Sequence, residues 1–328
     1  MTANIHLLTY HVRQQAIARA RRQVIVALTE IYQRVESYDY TKTNPISYKY
    51  LGIDCRLLEL DEDGKHLDVT NSDPCDPVFF EPRGVAWVAP VHATDSECET
   101  ELETITELWE GIEKDPCVRD TMPQARYMTI GPKQMGFRFR PLRDGKGLPI
   151  IRVMPKWVHL GTAVPTAIAE KFWSAIRGSM GGLLPDTFVP KELICNPELA
   201  PPHTLIGIVL GGKPSERLFR AEVITLTAVM ITRLEGEKCL DYNTIPVMAI
   251  TFFERMKARV IEAHSSQQGL VIKKTKLLDF STNKIANRNM DILLGFVAAN
   301  QVGDPRGPWD PINIPKGCTI DAMGIGNR

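Results

Sequence analysis

The chain has 328 residues, 44% hydrophobic and 24% charged, with 39 basic side chains against 39 acidic ones. That apolar share is ample for a packed core and excludes wholesale disorder, and no apolar run approaches the roughly 20 residues of a membrane-spanning helix. Zero formal charge argues against a histone-like protein that coats polyanions, so any basic surface must arise from charge segregated within the chain.

In chain order, Val12, Ala16, Ile17, Ala20, Val24, Leu28, Ile31 and Val35 recur at helical spacing and predict a helix over 12–36. Residues 1–29 carry four arginines and no acid, as a mitochondrial presequence does, but they lack serine and the helical pattern continues past Glu30. Together with seven widely spaced cysteines and no CxxC pair, this favours a reducing, cytoplasmic setting over a mitochondrial one. Tyr48–Leu60 reads as a strand, which the turn Asp61-Glu62-Asp63-Gly64 folds back onto Lys65–Val69. After a Pro-punctuated loop, Gly84–Val91 reads as a further strand. Residues 95–115 form an acidic helix that buries Leu102, Ile105, Leu108, Trp109 and Ile112. Between Arg126 and Lys156 the sign reverses to eight basic residues against Asp144, and Phe137-Arg138-Phe139-Arg140 alternates as a strand with arginines on one face.

Thr166–Arg177 predicts a short helix with Phe172 and Ile176 inward, and the Pro/Gly-rich stretch 178–203 reads as a linker. The expected division is therefore an α+β lobe over 1–200, a core over 201–302 and a Pro/Gly-rich tail over 303–328. Within the core, Leu205–Leu210 is an apolar run, and Gly207-Ile-Val-Leu-Gly-Gly-Lys213 matches the P-loop string. Pro214 stands where that string needs Ser or Thr, so strand, glycine turn and helix is the better reading. A buried helix follows over Leu218–Leu234. Ile245–Phe253, Ala258–His264 and Gly269–Leu277 form an antiparallel three-strand meander, and Ser281 or Thr282 caps a final helix running to about Asn300. The fold class expected is α+β, or mixed α/β.

Helix, three meandering strands and helix over 214–300 resembles the αβββα core of the PD-(D/E)XK nuclease superfamily. The stretch from Pro246 through Ala258-Arg-Val-Ile-Glu-Ala-His to Thr275-Lys-Leu-Leu-Asp-Phe is also similar to uncharacterised proteins of filamentous fungi. The nuclease resemblance implies a carboxylate pair, Glu222 and Glu262, holding Mg²⁺, with Lys273 or Lys274 beside the phosphate. Independently, Glu262 and His264 lie two apart and so share a strand face, where they could share a metal or a proton. The D/E-x-K tripeptide is absent from these strands, so binding is expected rather than cutting.

Two basic zones, Arg126–Lys156 and Arg255–Lys276, oppose the acidic helix. They predict a module that engages a phosphate-rich partner, RNA or DNA, through Arg138, Arg140, Lys257, Arg259, Lys273 and Lys274. Two other readings stay open. One is an enzyme, either a divergent Mg²⁺-dependent nuclease or a biosynthetic enzyme with a nucleic-acid-borne or small substrate. The other is an interaction protein that docks through its acidic helix.

Overall fold

The structure is a computed structural model. It describes residues 2–67, 77–87 and 202–306 apart from 212, 237, 238, 267 and 268, with the pieces 110, 157–159, 171–172, 174–176 and 186–190. The basic strand with Arg138 and Arg140 lies outside these residues, as does the acidic helix apart from Glu110.

The protein is α+β. Helix α1 spans Thr2–Glu36, ten residues longer at its start than its apolar spacing suggested. A helical turn, α2 (Tyr48–Leu51), replaces the start of the expected strand. Gly52 ends it in the left-handed region at φ 75°, and only then does β1 (Ile53–Leu57) begin. Of the return expected at Lys65–Val69, the described residues 65–67 make one bridge, Leu60 to His66, closed by Asp61, and 68–69 lie outside the described residues. Strand β2 is Phe80–Glu81, and Val85–Trp87 coils as a 3-10 turn where a strand was expected. Strands β3 (Trp157–His159), β4 (Asp186–Pro190) and β5 (Thr204–Leu210) precede helix α3 (Arg220–Glu235). Then come β6 (Val247–Phe253), β7 (Lys257–Ser266), β8 (Gly269–Lys274), β9 (Leu278–Asp279), helix α4 (Asn283–Val297) and β10 (Asn300–Gln301).

One mixed sheet gathers most of these strands in the order β1-β8-β7-β6-β5-β4-β3, with β9 beside β7. The meander β6-β7-β8 is antiparallel, whereas β5 and β6 are parallel neighbours joined through α3, as a parallel pair requires. Strand β1 pairs with β8 and β4 with β5, so the sheet runs across the boundary expected near 200, and β4 forms inside the supposed linker. Helix, three antiparallel strands and helix do succeed one another over 220–297. They sit inside this larger sheet, flanked by β5 and β1, and their order alone does not single out a nuclease core.

Alternation along each strand builds two separate cores. Ile206, Ile208, Ala249, Ile261, Ala263 and Ile272 face α1 and α3, while Leu205, Val209, Met248, Ile250, Ala258 and Val260 face α4. Helix α3 lies between α1 and the sheet, which is why 13 of its 16 residues are buried. Its Thr225 and Thr227 tolerate this by donating hydroxyl hydrogens to the carbonyls of Ala221 (2.7 Å) and Val223 (2.8 Å) one turn back. Arg21 of α1 closes the other end of α3, donating to the carbonyls of Leu234, Gly236 (2.7 Å) and Cys239 (2.6 Å) where the helix leaves acceptors unmet. On the opposite face, α4 buries Leu293, Leu294 and Phe296. Ile285 of the same helix stays 43% exposed. Among the described residues, no helix is long and apolar enough to cross a membrane.

Candidate functional site

Strands β5, β6, β8 and β1 run in the same direction, so their carboxyl ends meet at one end of the sheet. Here the chain leaves β5 at Gly211, crosses to α3 and caps it at Phe219. Ligand crevices of α/β sheets form at such ends. The crossing is pinned from beneath by Arg259 of β7, which has no solvent exposure. Its Nε donates to Glu222 Oε1 at 2.8 Å, its Nη2 reaches the other carboxylate oxygen, and its amino groups donate to the carbonyls of Ser215 and Arg217, both at 3.1 Å. Glu222 is equally enclosed and also accepts the Phe219 N–H at 2.8 Å, which ties it to the first turn of α3. Thr43 binds the Leu218 carbonyl through both its N–H (2.8 Å) and its hydroxyl (2.9 Å), and Lys42 places Nζ 5.1 Å from the Phe219 ring centre.

Above this neutral pair the surface is basic. Among the described residues of 41–43, 211–219, 254–257 and 274–279, Lys42, Lys213, Arg217, Arg255, Lys257, Lys274 and Lys276 oppose Glu216, Glu254 and Asp279. Arg255 and Met256 form the β6–β7 turn at φ 58° and 56°, a conformation uncommon outside glycine. Burial of Met256 and the bond from Phe280 N–H to its carbonyl (2.8 Å) hold the turn and leave Arg255 exposed. Lys257 pairs with Asp279 at 2.9 Å and Lys274 approaches Glu216 at 3.6 Å. Burial opposes ionisation of Asp279, but Lys257 and Ser281 outweigh it and keep the carboxyl below its ordinary range. Two of the expected phosphate contacts, Lys257 and Lys274, therefore belong to this end but already face carboxylates. A third is corrected: Arg259 is enclosed and neutralised by Glu222, and cannot reach a partner without unfolding the crossing.

The expected carboxylate pair is corrected too. Position 259 of β7 points toward α3, whereas Glu262, like Ala258 and Val260, points toward α4. Glu222 and Glu262 thus lie on opposite faces of the sheet and cannot share Mg²⁺. Among the described residues, no group of three or more His, Cys, Asp or Glu is arranged to hold a metal ion. Glu262, His264 and Lys273 do share the α4-facing side, since Lys273 stands opposite Glu262 across the β7–β8 ladder. His264 packs its ring 5.1 Å from Phe79.

Glu262 has a partner that the sequence reading did not connect with it. His66 Nε2 lies 3.0 Å from Glu262 Oε1, with the two side chains only 8% and 9% exposed. His66 borders a cleft of about 550 Å³ lined also by Asp61, Asp63, Lys65, Glu81 and Arg83. One wall is the 61–66 turn, held by Asp61 Oδ1 accepting the N–H groups of Asp63 (2.9 Å) and Lys65 (2.8 Å). The facing wall is docked through Asp63, which accepts the N–H groups of Val85 (2.7 Å) and Ala86 (2.8 Å). The Ala86 amide, reinforced by Lys65, holds the Asp63 carboxyl below its usual range. Arg83 donates to Asn300 Oδ1 at 2.7 Å, and the Asn300 amide donates to Glu81 at 2.9 Å.

Sequence reading missed Lys42, Lys213 and Arg217 because they reach the sheet end from other segments, and it missed His66 because 196 residues separate it from Glu262. The one local signal was the Asp61–Gly64 turn, which carries His66 back beside Leu60. No protein-family model, no curated protein and no solved structure matches the chain.

Proposed function

We propose that the protein binds a phosphate-bearing partner, an RNA or DNA strand, at the carboxyl end of its sheet. The observation that supports this reading is the convergence of seven cations against three carboxylates over a crossing whose own buried charges cancel. Lys213, Arg217, Arg255 and Lys276 are exposed there, each on a different loop or at a different point of one, so that a backbone of phosphates can be met at several points. Arginines offer a fork of donors to phosphate oxygens, and lysines a point charge. The two ion pairs, Lys257 with Asp279 and Lys274 with Glu216, hold the loops that carry these cations in register. Cutting is not part of the reading, because the carboxylates that would hold Mg²⁺ face away from one another.

The test is fluorescence anisotropy with a labelled single-stranded RNA and its DNA counterpart over a salt series. An excess of four cations predicts a slope of log K on log salt near −3, at about 0.7 per single-strand phosphate contact. Binding that ignores salt, or none at 50 mM salt, overturns the reading.

A further inference from the structure

We infer that the cleft between the 61–66 turn and the 80–87 segment is a separate acid–base site, in which His66 activates water against a small carboxylic ester. The inference uses none of the cations of the sheet end and stands independently of the partner proposed for them.

Three observations carry it. His66 is held through Nε2 by a carboxylate that is itself enclosed. A carboxylate at Glu262 can only accept, so the 3.0 Å contact places a proton on Nε2, and in the neutral form of the ring Nδ1 then keeps its lone pair. The ring is further seated against Phe296, 5.9 Å between centres, which fixes its plane. Finally, this ring borders a cleft of about 550 Å³, within the range that small molecules fill. A base held by an enclosed carboxylate and bordering a cavity is the kind of arrangement general-base catalysis uses.

In the step proposed, Nδ1 takes a proton from water as the water oxygen bonds to the ester carbonyl carbon. The carbonyl oxygen gathers the negative charge, and the collapse of that intermediate breaks the bond to the leaving alcohol oxygen. The proton on Nδ1 passes to the leaving group or to solvent, so that acid and alcohol are formed from ester and water. Lys65, paired with Asp63 at 2.9 Å, and Arg83, which donates to Asn300, line the same cleft and place positive charge near an oxygen that gathers negative charge there. Asp61, Asp63 and Glu81 outnumber those two cations, which disfavours anionic substrates and selects neutral or cationic esters. Glu262 is here a positioning residue, and His66 the catalytic one.

The experiment uses the full chain and p-nitrophenyl acetate, comparing the protein with His66→Gln and Glu262→Gln. Hydrolysis above the buffer rate is expected, falling about 100-fold or more in His66→Gln. In Glu262→Gln the rate should fall and the pH profile move, because an amide no longer selects the same tautomer. No hydrolysis above buffer, or a His66→Gln rate within twofold of the parent, overturns the inference. Should either variant fail to fold, ¹⁵N imidazole spectra of the unaltered protein decide the matter. A protonated Nε2 with a bare Nδ1 on His66 is expected, and the reverse tautomer refutes the site.

Discussion

The two faces of the sheet treat a buried carboxylate and its partner in opposite ways. Toward α1 and α3, Glu222 and Arg259 are sealed together, with four guanidinium donors and both carboxylate oxygens spent on each other and on the backbone of the crossing. Toward α4, Glu262 and His66 are nearly as enclosed, but the histidine borders a cleft. An ion pair with no solvent side holds a loop in place, whereas a pair with one open side can exchange a proton. The number of charged residues is similar at the two places, and access to solvent sets them apart.

The largest expected effect is on the sealed pair. Glu222→Gln leaves the Arg259 guanidinium enclosed without its counter-charge, and removal of one partner of such a pair costs about 3–5 kcal/mol. Replacing both, as Glu222→Gln with Arg259→Met, should recover part of that loss, since no charge is then buried without its counter-charge. Urea midpoints of the single and double variants measure this. A single-variant cost below about 1 kcal/mol would mean the pair is not sealed, and the contrast between the two faces would fall.

Next in size is the response to acid on the α4 side. His203 lies against the edges of Phe79 and Phe80, and burial lowers its pKa to about 4, with the Arg233 charge adding to the shift and the Val302 and Phe79 carbonyls opposing it. The unfolded chain therefore binds a proton that the folded one does not, and stability falls as pH drops below about 6.5 until the folded histidine itself titrates. By pH 4 the loss from this group is about 3 kcal/mol. His203→Gln should flatten urea midpoints over pH 7 to 4. An unchanged slope would assign the acid sensitivity to other groups.

A smaller effect tests how the cleft is built. A Cβ at Gly84 would overlap the Asp63 carboxylate, which the Ala86 amide and Lys65 hold in place and which cannot easily move aside. Gly84→Ala should cost about 1–3 kcal/mol, as overpacking does, and should part the two walls. Because His66 sits on one of those walls, ester hydrolysis should fall with it, whereas RNA binding at the other end of the sheet should not.

How much of this could be read in the sequence follows from how local each feature is. Helix α3, the meander and α4 announced themselves because apolar spacing is set within a dozen residues, and that spacing placed Ala20, Val24, Leu28, Ile31 and Val35 of α1 in the core, though not the buried Arg21 and Tyr32. β4 escaped notice because prolines and glycines surround it, and its pairing with β5 is a tertiary fact. The face on which a strand residue lies could be counted, and it correctly placed Glu262 with His264. Nothing local said that the partner of Arg259 would be Glu222, 37 positions away, or that His66 would reach Glu262. The basic zone at Arg255–Lys276 was visible as a run of charge. Its enclosure at one point and its carboxylate partners at two others depended on loops arriving from elsewhere.

The smallest change in stability should accompany the largest change in binding at the sheet end. Lys213, Arg217 and Lys276 are exposed and, among the described residues, none is held in an ion pair, so Lys213→Glu, Arg217→Glu and Lys276→Glu should each shift stability by no more than about 0.5 kcal/mol. Each removes one phosphate contact, so the salt slope for single-stranded RNA should shrink by about 0.7 per substitution, with a weakening that does not depend on base sequence. Lys257→Glu should behave differently. It places a second carboxylate against Asp279 across the β7–β9 pairing and disturbs the loop as well as the charge. Anisotropy and urea unfolding on the four variants separate the two roles. If Lys257→Glu lowers binding with no loss of stability, its ion pair does not order the loop, and if the other three leave the slope unchanged, the partner does not sit at this end of the sheet.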